Sequence, residues 1–156
     1  MSLPSNPPQL LAEQIPLEGT GAIKVARQEE VINALRAVLP AHALLWRETD
    51  TRPYECDALP VYRQLPMVVA LPETEQQIID ILQICQRLQV PVVPRGAGTG
   101  LAGGALPHHA GVLLSTAKLN RIVHLDPQAR MAIVQPGTRN LAVSEAAAPF
   151  GLYYAP

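Results

Sequence analysis

The sequence predicts an α+β fold: a small layer of parallel strands built on a βαβ unit, followed by the start of an antiparallel subdomain. Three observations carry this. An apolar run at Met67–Leu71, a helix-period segment after Thr74 and a second apolar run at Val90–Val93 follow one another within one short stretch. That spacing fits a crossover between parallel strands, right-handed as such crossovers are. Two more apolar segments, Ile122–Leu125 and Arg130–Val134, flank the turn sequence Asp126-Pro127-Gln128-Ala129, which reads as an antiparallel hairpin.

In chain order, the first 27 residues carry Pro4, Pro7, Pro8, Pro16, Gly19 and Gly21 and read as an irregular lead-in. From Gln28 to Leu39, Val31, Ile32, Leu35, Val38 and Leu39 fall on one helical face, and Pro40 stops that helix. Residues 48 to 66 are polar and proline-punctuated, so they read as a loop. Met67–Leu71 is short and continuously apolar, as a buried strand is. Thr74 with Gln77 resembles a capping box, opening a helix that runs to about Gln89 with Ile78, Ile81, Leu82, Cys85 and Leu88 as its buried stripe. Val112–Ser115 is a third buried strand. After the hairpin, Thr138 caps a helix from Asn140 to Ala148 that Pro149 and Gly151 close, and Leu152–Pro156 reads as a strand just begun. Residues 1–50 are thus a lead-in with one helix, and residues 51–156 form the organised part.

The chain has 156 residues, 48% hydrophobic and 16% charged, which excludes disorder and leaves enough apolar side chain for one core. A formal net charge of -1 gives no handle for nucleic acid or an anionic membrane. The two cysteines, Cys56 and Cys85, lack zinc or redox spacing and read as free thiols in a reducing compartment. No signal-peptide pattern opens the sequence, and no apolar stretch approaches the roughly 18 residues of a membrane helix. A cytoplasmic location follows.

The segment that carries chemistry is Pro94-Arg95-Gly96-Ala97-Gly98-Thr99-Gly100-Leu101-Ala102-Gly103-Gly104. Its glycines permit positive φ and remove Cβ atoms that would hold a ligand away. Successive N–H groups in such a turn form a nest for phosphate oxygens. Between Val90 and Ala117 the only formal charge is Arg95. Gly98, Gly100 and Gly103 satisfy G-x-G-x-x-G, yet Pro107, His108 and His109 stand where a dinucleotide helix should begin, and no acidic residue occurs between Asp80 and Asp126. No Gly-Lys-Ser/Thr follows, which excludes a P-loop. What remains is a loop that holds a diphosphate through backbone amides with no helix behind it.

With Val92 and Val93 before it, this loop resembles the FAD diphosphate loop of the p-cresol methylhydroxylase/vanillyl-alcohol oxidase flavoprotein superfamily. The likeness is strongest to the branch of bacterial glycolate oxidase FAD-linked subunits and D-lactate dehydrogenases. Pro66–Thr74 is similar to that family's first strand and helix start, Val134-Gln135-Pro136-Gly137-Thr138 to its later turn, and Gly151–Pro156 to the lead into a second flavin-contacting segment. The resemblance implies a PCMH-type FAD-binding fold, of which residues 51–156 are an incomplete amino-terminal part. It implies that Arg95, Gly96, Ala97, Gly98, Thr99, Gly100 and Leu101 contact the FAD diphosphate, with Gly103 and Gly104 allowing close passage of the chain. Thr99 would add a hydroxyl hydrogen bond; Arg95 either offsets phosphate charge or serves a structural salt bridge. No histidine stands in the loop, which implies non-covalent FAD.

The activity implied is dehydrogenation of a small 2-hydroxy acid such as glycolate or D-lactate, in a complex with a second flavin-type subunit and an iron–sulfur subunit. Two alternatives stay open: a different flavoenzyme sharing the loop, of the cell-wall precursor reductase type, and a truncated, non-catalytic chain. Family members are much longer, so the sequence reads as a fragment with half a flavin site and weak FAD binding of its own. No catalytic residue and no metal site is nameable. His108 and His109 are expected to point apart into solvent, and Asp50, Glu55 and Asp57 to form a solvated acidic loop near Tyr54. Ser115 and Ser144 lack a nucleophile setting, while Trp46 and the methionines read as packing residues.

Overall fold

The computed structural model describes residues 20–155. A four-stranded sheet has the order β1-β2-β4-β3, and a separate two-stranded sheet follows it. The first helix, α1, spans Thr20–Leu35. The lead-in is therefore corrected from residue 20 on, residues 1–19 lying outside the described ones. Gly21 falls in the first turn, where amides have no helical partner in any case, so it does not block the helix. The helix ends at Leu35 and the chain tightens into turns to Leu39, whose N–H still donates to the Leu35 carbonyl at 2.9 Å. Val31, Ile32, Leu35 and Leu39 are buried together.

Strand β1, Leu44–Leu45, pairs antiparallel with β2, Val68–Ala70, in the register Leu44 to Ala70. The sequence does not announce β1, and it makes the parallel layer a mixed sheet. The stretch read as a loop also holds a short helix, α2 (Glu48–Thr51), and a 3-10 turn over Arg52–Tyr54. Helix α3, Glu75–Arg87, starts as expected at Thr74, whose hydroxyl accepts from the Gln77 N–H at 3.2 Å. The reciprocal bond is displaced by one residue: Gln77 Oε1 accepts from Glu73 N at 2.7 Å. Ile81, Ile84 and Cys85 form the buried stripe, whereas Leu82 is 45% exposed, because the helix seats on the sheet along the 81/84/85 edge.

Strand β3 spans Val92–Arg95, two residues later than expected, and β4 is Val112–Ser115. Both β2 and β3 pair with β4 in parallel, so the βαβ strands are parallel to each other but separated by β4. All four residues of β4 are buried, as a central strand flanked on both sides should be. Met67, Val68, Val69, Ala70, Val112, Leu113 and Leu114 share one core with α1 and α3.

The hairpin pairs β5 (Ile122–Asp126) with β6 (Met131–Val134) antiparallel, with a bulge between Ile122 and His124. Asp126 Oδ1 accepts from the N–H groups of Gln128 and Ala129, at 3.0 and 2.9 Å, and Arg130 takes φ +52°, so Arg130 belongs to the turn and not to the strand. Helix α4, Asn140–Ala147, runs into a 3-10 turn over Ala148–Phe150, ended by Gly151 at φ +68°. Its cap is Arg139 rather than Thr138; the Thr138 hydroxyl donates instead to the Arg121 carbonyl at 3.2 Å. Residues 152–155 form no strand. Ser144 Oγ holds them, accepting from Tyr154 N at 3.1 Å and donating to the Tyr154 carbonyl at 3.3 Å.

Candidate cofactor-binding site

Parallel strands β3 and β4 are joined by residues 96–111 with no helix between them. The glycine-rich segment is therefore the crossover itself. Two hydrogen bonds fix its ends: Thr116 N donates to the Arg95 carbonyl and Val112 N to the Pro91 carbonyl, each at 2.9 Å. A third pins its middle, from Ala58 N to the Gly100 carbonyl at 3.2 Å. Gly98 and Gly103 take φ +72° and +73°, the left-handed conformation that glycine adopts without a steric cost. At Gly96, Gly100, Gly103 and Gly104 a Cβ would meet nothing within 4 Å, so the loop presents bare backbone to open space.

Arg95 points away from that open side. Its Nη1 donates to the Cys56 carbonyl at 2.7 Å, and its guanidinium carbon lies 5.7 Å from the centroid of the Tyr54 ring. The Cα of Gly98 packs directly on the guanidinium, where a Cβ would collide with Nη2 and Cζ. Leu101 is 70% exposed at the tip.

Gly96, Ala97 and Thr99 form one wall of a cleft of about 710 Å³, the other wall being Pro136–Asn140 and Ala142. The second wall is held by a strap between distant segments. Gly137 N donates to the Leu119 carbonyl at 2.8 Å, Gln135 N to the Arg121 carbonyl at 2.9 Å, and Arg121 N to Gln135 Oε1 at 3.0 Å. Gly137 lies so close to the Thr116 carbonyl that no Cβ would fit. Thr116 thus links the walls, bonded to Arg95 on one side and pressed on Gly137 on the other.

Among the described residues no carboxylate lines the cleft, and Arg139 is the one charged residue that does. Bare amides, a polar rim from Thr99, Asn120 and Asn140, and a positive charge suit a diphosphate, so the residues present fit the group the loop sequence implies. Sequence reading singles out the segment from which Gly96, Ala97 and Thr99 line the cleft. It noted the Gln135-Pro136-Gly137-Thr138 turn only as a likeness and gave it no role, since nothing local shows that this turn meets residues 96–99.

The other polar candidates take structural places. Asp57 is 7% exposed rather than solvated: Oδ1 accepts from Leu59 N at 2.9 Å, closing its own turn, and Oδ2 has no partner among the described residues. Glu55 pairs with Arg63 at 2.8 Å. His108 and His109 are exposed but do not diverge. Their rings stack at 4.6 Å between centroids, because the turn that brings Ala110 N onto His108 Nδ1 folds them together. Among the described residues no group of three His, Cys, Asp or Glu could hold a metal ion. Trp46 is half-buried and Met67 buried, but Met131 is 48% exposed on the hairpin, contrary to a packing role. Burial pushes the Cys85 thiol up to about 11, and Cys56 is half-buried; neither is in a disulfide. Among the described residues no helix is long and apolar enough to cross a membrane.

The chain is 50% identical over 136 residues to the glycolate oxidase subunit GlcD of Escherichia coli strain K12, a match covering 87% of the chain and 27% of that protein. It is 36% identical over 89 residues to a D-lactate dehydrogenase of Archaeoglobus fulgidus, covering 57% of the chain and 20% of the relative. The chain thus spans about a quarter of the length of the curated relatives it matches. Among solved structures, p-cresol methylhydroxylase with substrate bound superposes with a TM-score of 0.72 at 23% identity, over 81% of this chain and 25% of that one. This likeness bears on fold alone and agrees with the PCMH-type, α+β architecture. The FAD binding domain family matches residues 66–156, from two residues before β2 through the glycine crossover and the strapped turn to the last residue, and the chain belongs to that family.

Proposed function

We propose that the chain is the amino-terminal part of the FAD-binding domain of a flavin-dependent dehydrogenase acting on a small 2-hydroxy acid, glycolate to glyoxylate or D-lactate to pyruvate. The observation that carries this is the 50% identity to a glycolate oxidase subunit across 87% of the chain. Residues 51–156 belong to the cofactor domain, and α1 and β1 pack onto it from the lead-in. Bound FAD supplies the two-electron acceptor for oxidation at the hydroxyl-bearing carbon.

The chain's own residues bind and orient. Gly96, Ala97, Gly98, Thr99, Gly100 and Leu101 present backbone amides, and Thr99 its hydroxyl, to the diphosphate. Gly103 and Gly104 let the backbone pass close to the cofactor, and Arg95 secures the start of the loop. With no histidine between Pro94 and Gly104 the flavin is held without a covalent bond. The residues that bind the hydroxy acid belong to the longer polypeptide. We place that polypeptide in the cytoplasm, assembled with a second flavin-type subunit and an iron–sulfur subunit.

The test begins with the intact mass of the native polypeptide, detected by an antibody to this segment. A species several times 16.8 kDa that carries FAD releasable by acid, and reduces a dye with glycolate or D-lactate, is the expected result. A native species of 16.8 kDa with no flavin would overturn the enzyme reading. Co-purification of an iron–sulfur subunit tests the assembly.

A further inference from the structure

We infer that Arg139, rather than Arg95, supplies the positive charge that meets the cofactor diphosphate. The inference rests on the flavoprotein reading above and assigns a binding residue within it. Arg95 is the cation that the glycine-rich sequence offers, but its guanidinium is already committed. It donates to the Cys56 carbonyl at 2.7 Å, lies over the Tyr54 ring, and is covered by Gly98. It does not line the 710 Å³ cleft, although the next residue, Gly96, does. Turning it toward a phosphate would break that hydrogen bond and lift it from the ring and from Gly98, leaving the Cys56 carbonyl without its donor.

Arg139 stands on the opposite wall in a different state. It is exposed, and among the described residues it is the sole charged one lining the cleft and has no ion pair or side-chain hydrogen bond. No carboxylate among the described residues of the cleft competes for it. As the residue before α4 it makes no side-chain cap, so it does not screen the helix's first amides from an anion. The strap through Gly137 and Leu119 fixes its backbone opposite Gly96, Ala97 and Thr99. A diphosphate seated on the loop amides therefore has a free guanidinium across the cleft, able to bridge two phosphate oxygens. The two arginines divide the work: Arg95 positions the loop, and Arg139 neutralises the ligand.

The experiment uses the full-length polypeptide stripped of flavin and titrated with FAD at several salt concentrations, followed by flavin fluorescence. Arg139→Gln is expected to weaken FAD binding by about tenfold or more and to flatten its salt dependence, while Arg139→Lys keeps most of that dependence. Circular dichroism checks that each variant is folded, which an exposed position should permit. Arg95→Gln is expected to lower the thermal midpoint of the FAD-free protein and to leave the salt dependence at the wild-type slope. Wild-type affinity and slope in Arg139→Gln, or a flattened slope in Arg95→Gln, would overturn the assignment. Absence of FAD binding by the wild-type polypeptide would instead defeat the flavoprotein reading itself, so the two failures are distinct.

Discussion

Gly98 and Arg95 are built against each other: at φ +72° Gly98 lays its Cα on the Arg95 guanidinium, in the place where any other residue would put a Cβ. Gly98→Ala therefore meets two obstacles, about 1–2 kcal/mol for a left-handed alanine and the displacement of a guanidinium from the Cys56 carbonyl. Gly100 has neither obstacle, since a Cβ there meets nothing within 4 Å. The expected result is that Gly98→Ala lowers the unfolding midpoint of the FAD-free protein. Gly100→Ala should leave that midpoint unchanged and weaken only FAD binding. Thermal unfolding with and without FAD separates the two.

Gly137 presents a stricter case. A Cβ would run into the Thr116 and Leu119 carbonyls, which are backbone and held by hydrogen bonds of their own. Gly137→Ala should cost about 2 kcal/mol or more, as overpacked sites do, and should loosen the second wall of the cleft. Urea unfolding gives the stability loss, and amide exchange at Gly137 and Arg121 should rise with it.

Two threonines that look alike in sequence should respond differently. Thr74→Ala removes a hydroxyl that accepts from Gln77 N at 3.2 Å and is expected to destabilise by about 1 kcal/mol. Thr138→Ala removes no cap, only the bond to the Arg121 carbonyl, so the amide protection of α4 should not change. Hydrogen exchange across the first turns of α3 and α4 measures the contrast.

Cys85 links stability to alkaline pH. Its folded thiol is pushed by burial from 9.0 to about 11. Below pH 9 the thiol is protonated in both states, and the contribution is fully present. Above it the unfolded thiol ionises first, so stability falls as pH rises through about 11, by on the order of 2 kcal/mol. Denaturant melts below pH 9 and near pH 11 should show the loss, and Cys85→Ala should reduce it. At neutral pH an alkylating reagent should label Cys56 in the native protein and spare Cys85.

The legible parts of the fold were those where one short segment determines its own state. β4 is three apolar residues followed by Ser115, all buried between neighbours on both sides, and it stands where the sequence places it. Thr74 and Gln77 mark the start of α3 through bonds within one turn. β1 was not legible, because two leucines become a strand only by pairing with Val69 and Ala70 far along the chain. The expected strand stops at Val93, yet β3 runs on through Pro94, because proline is tolerated at an edge and β3 pairs only with β4. The site divides the same way. The glycines announced the loop wall, while the wall at Pro136–Asn140 depends on Thr116 and Leu119 meeting Gly137, a contact that no local pattern encodes.

The order of the four-stranded sheet also governs how it meets other chains. One border is β1, only two residues long, and the other is β3, which carries Pro94 and so lacks a main-chain donor at its centre. Among the described residues neither border offers the uninterrupted ladder that a foreign strand needs to add on, which disfavours edge-to-edge pairing at this sheet. At this sheet, recognition through side chains and loops is thereby favoured over the addition of a foreign strand.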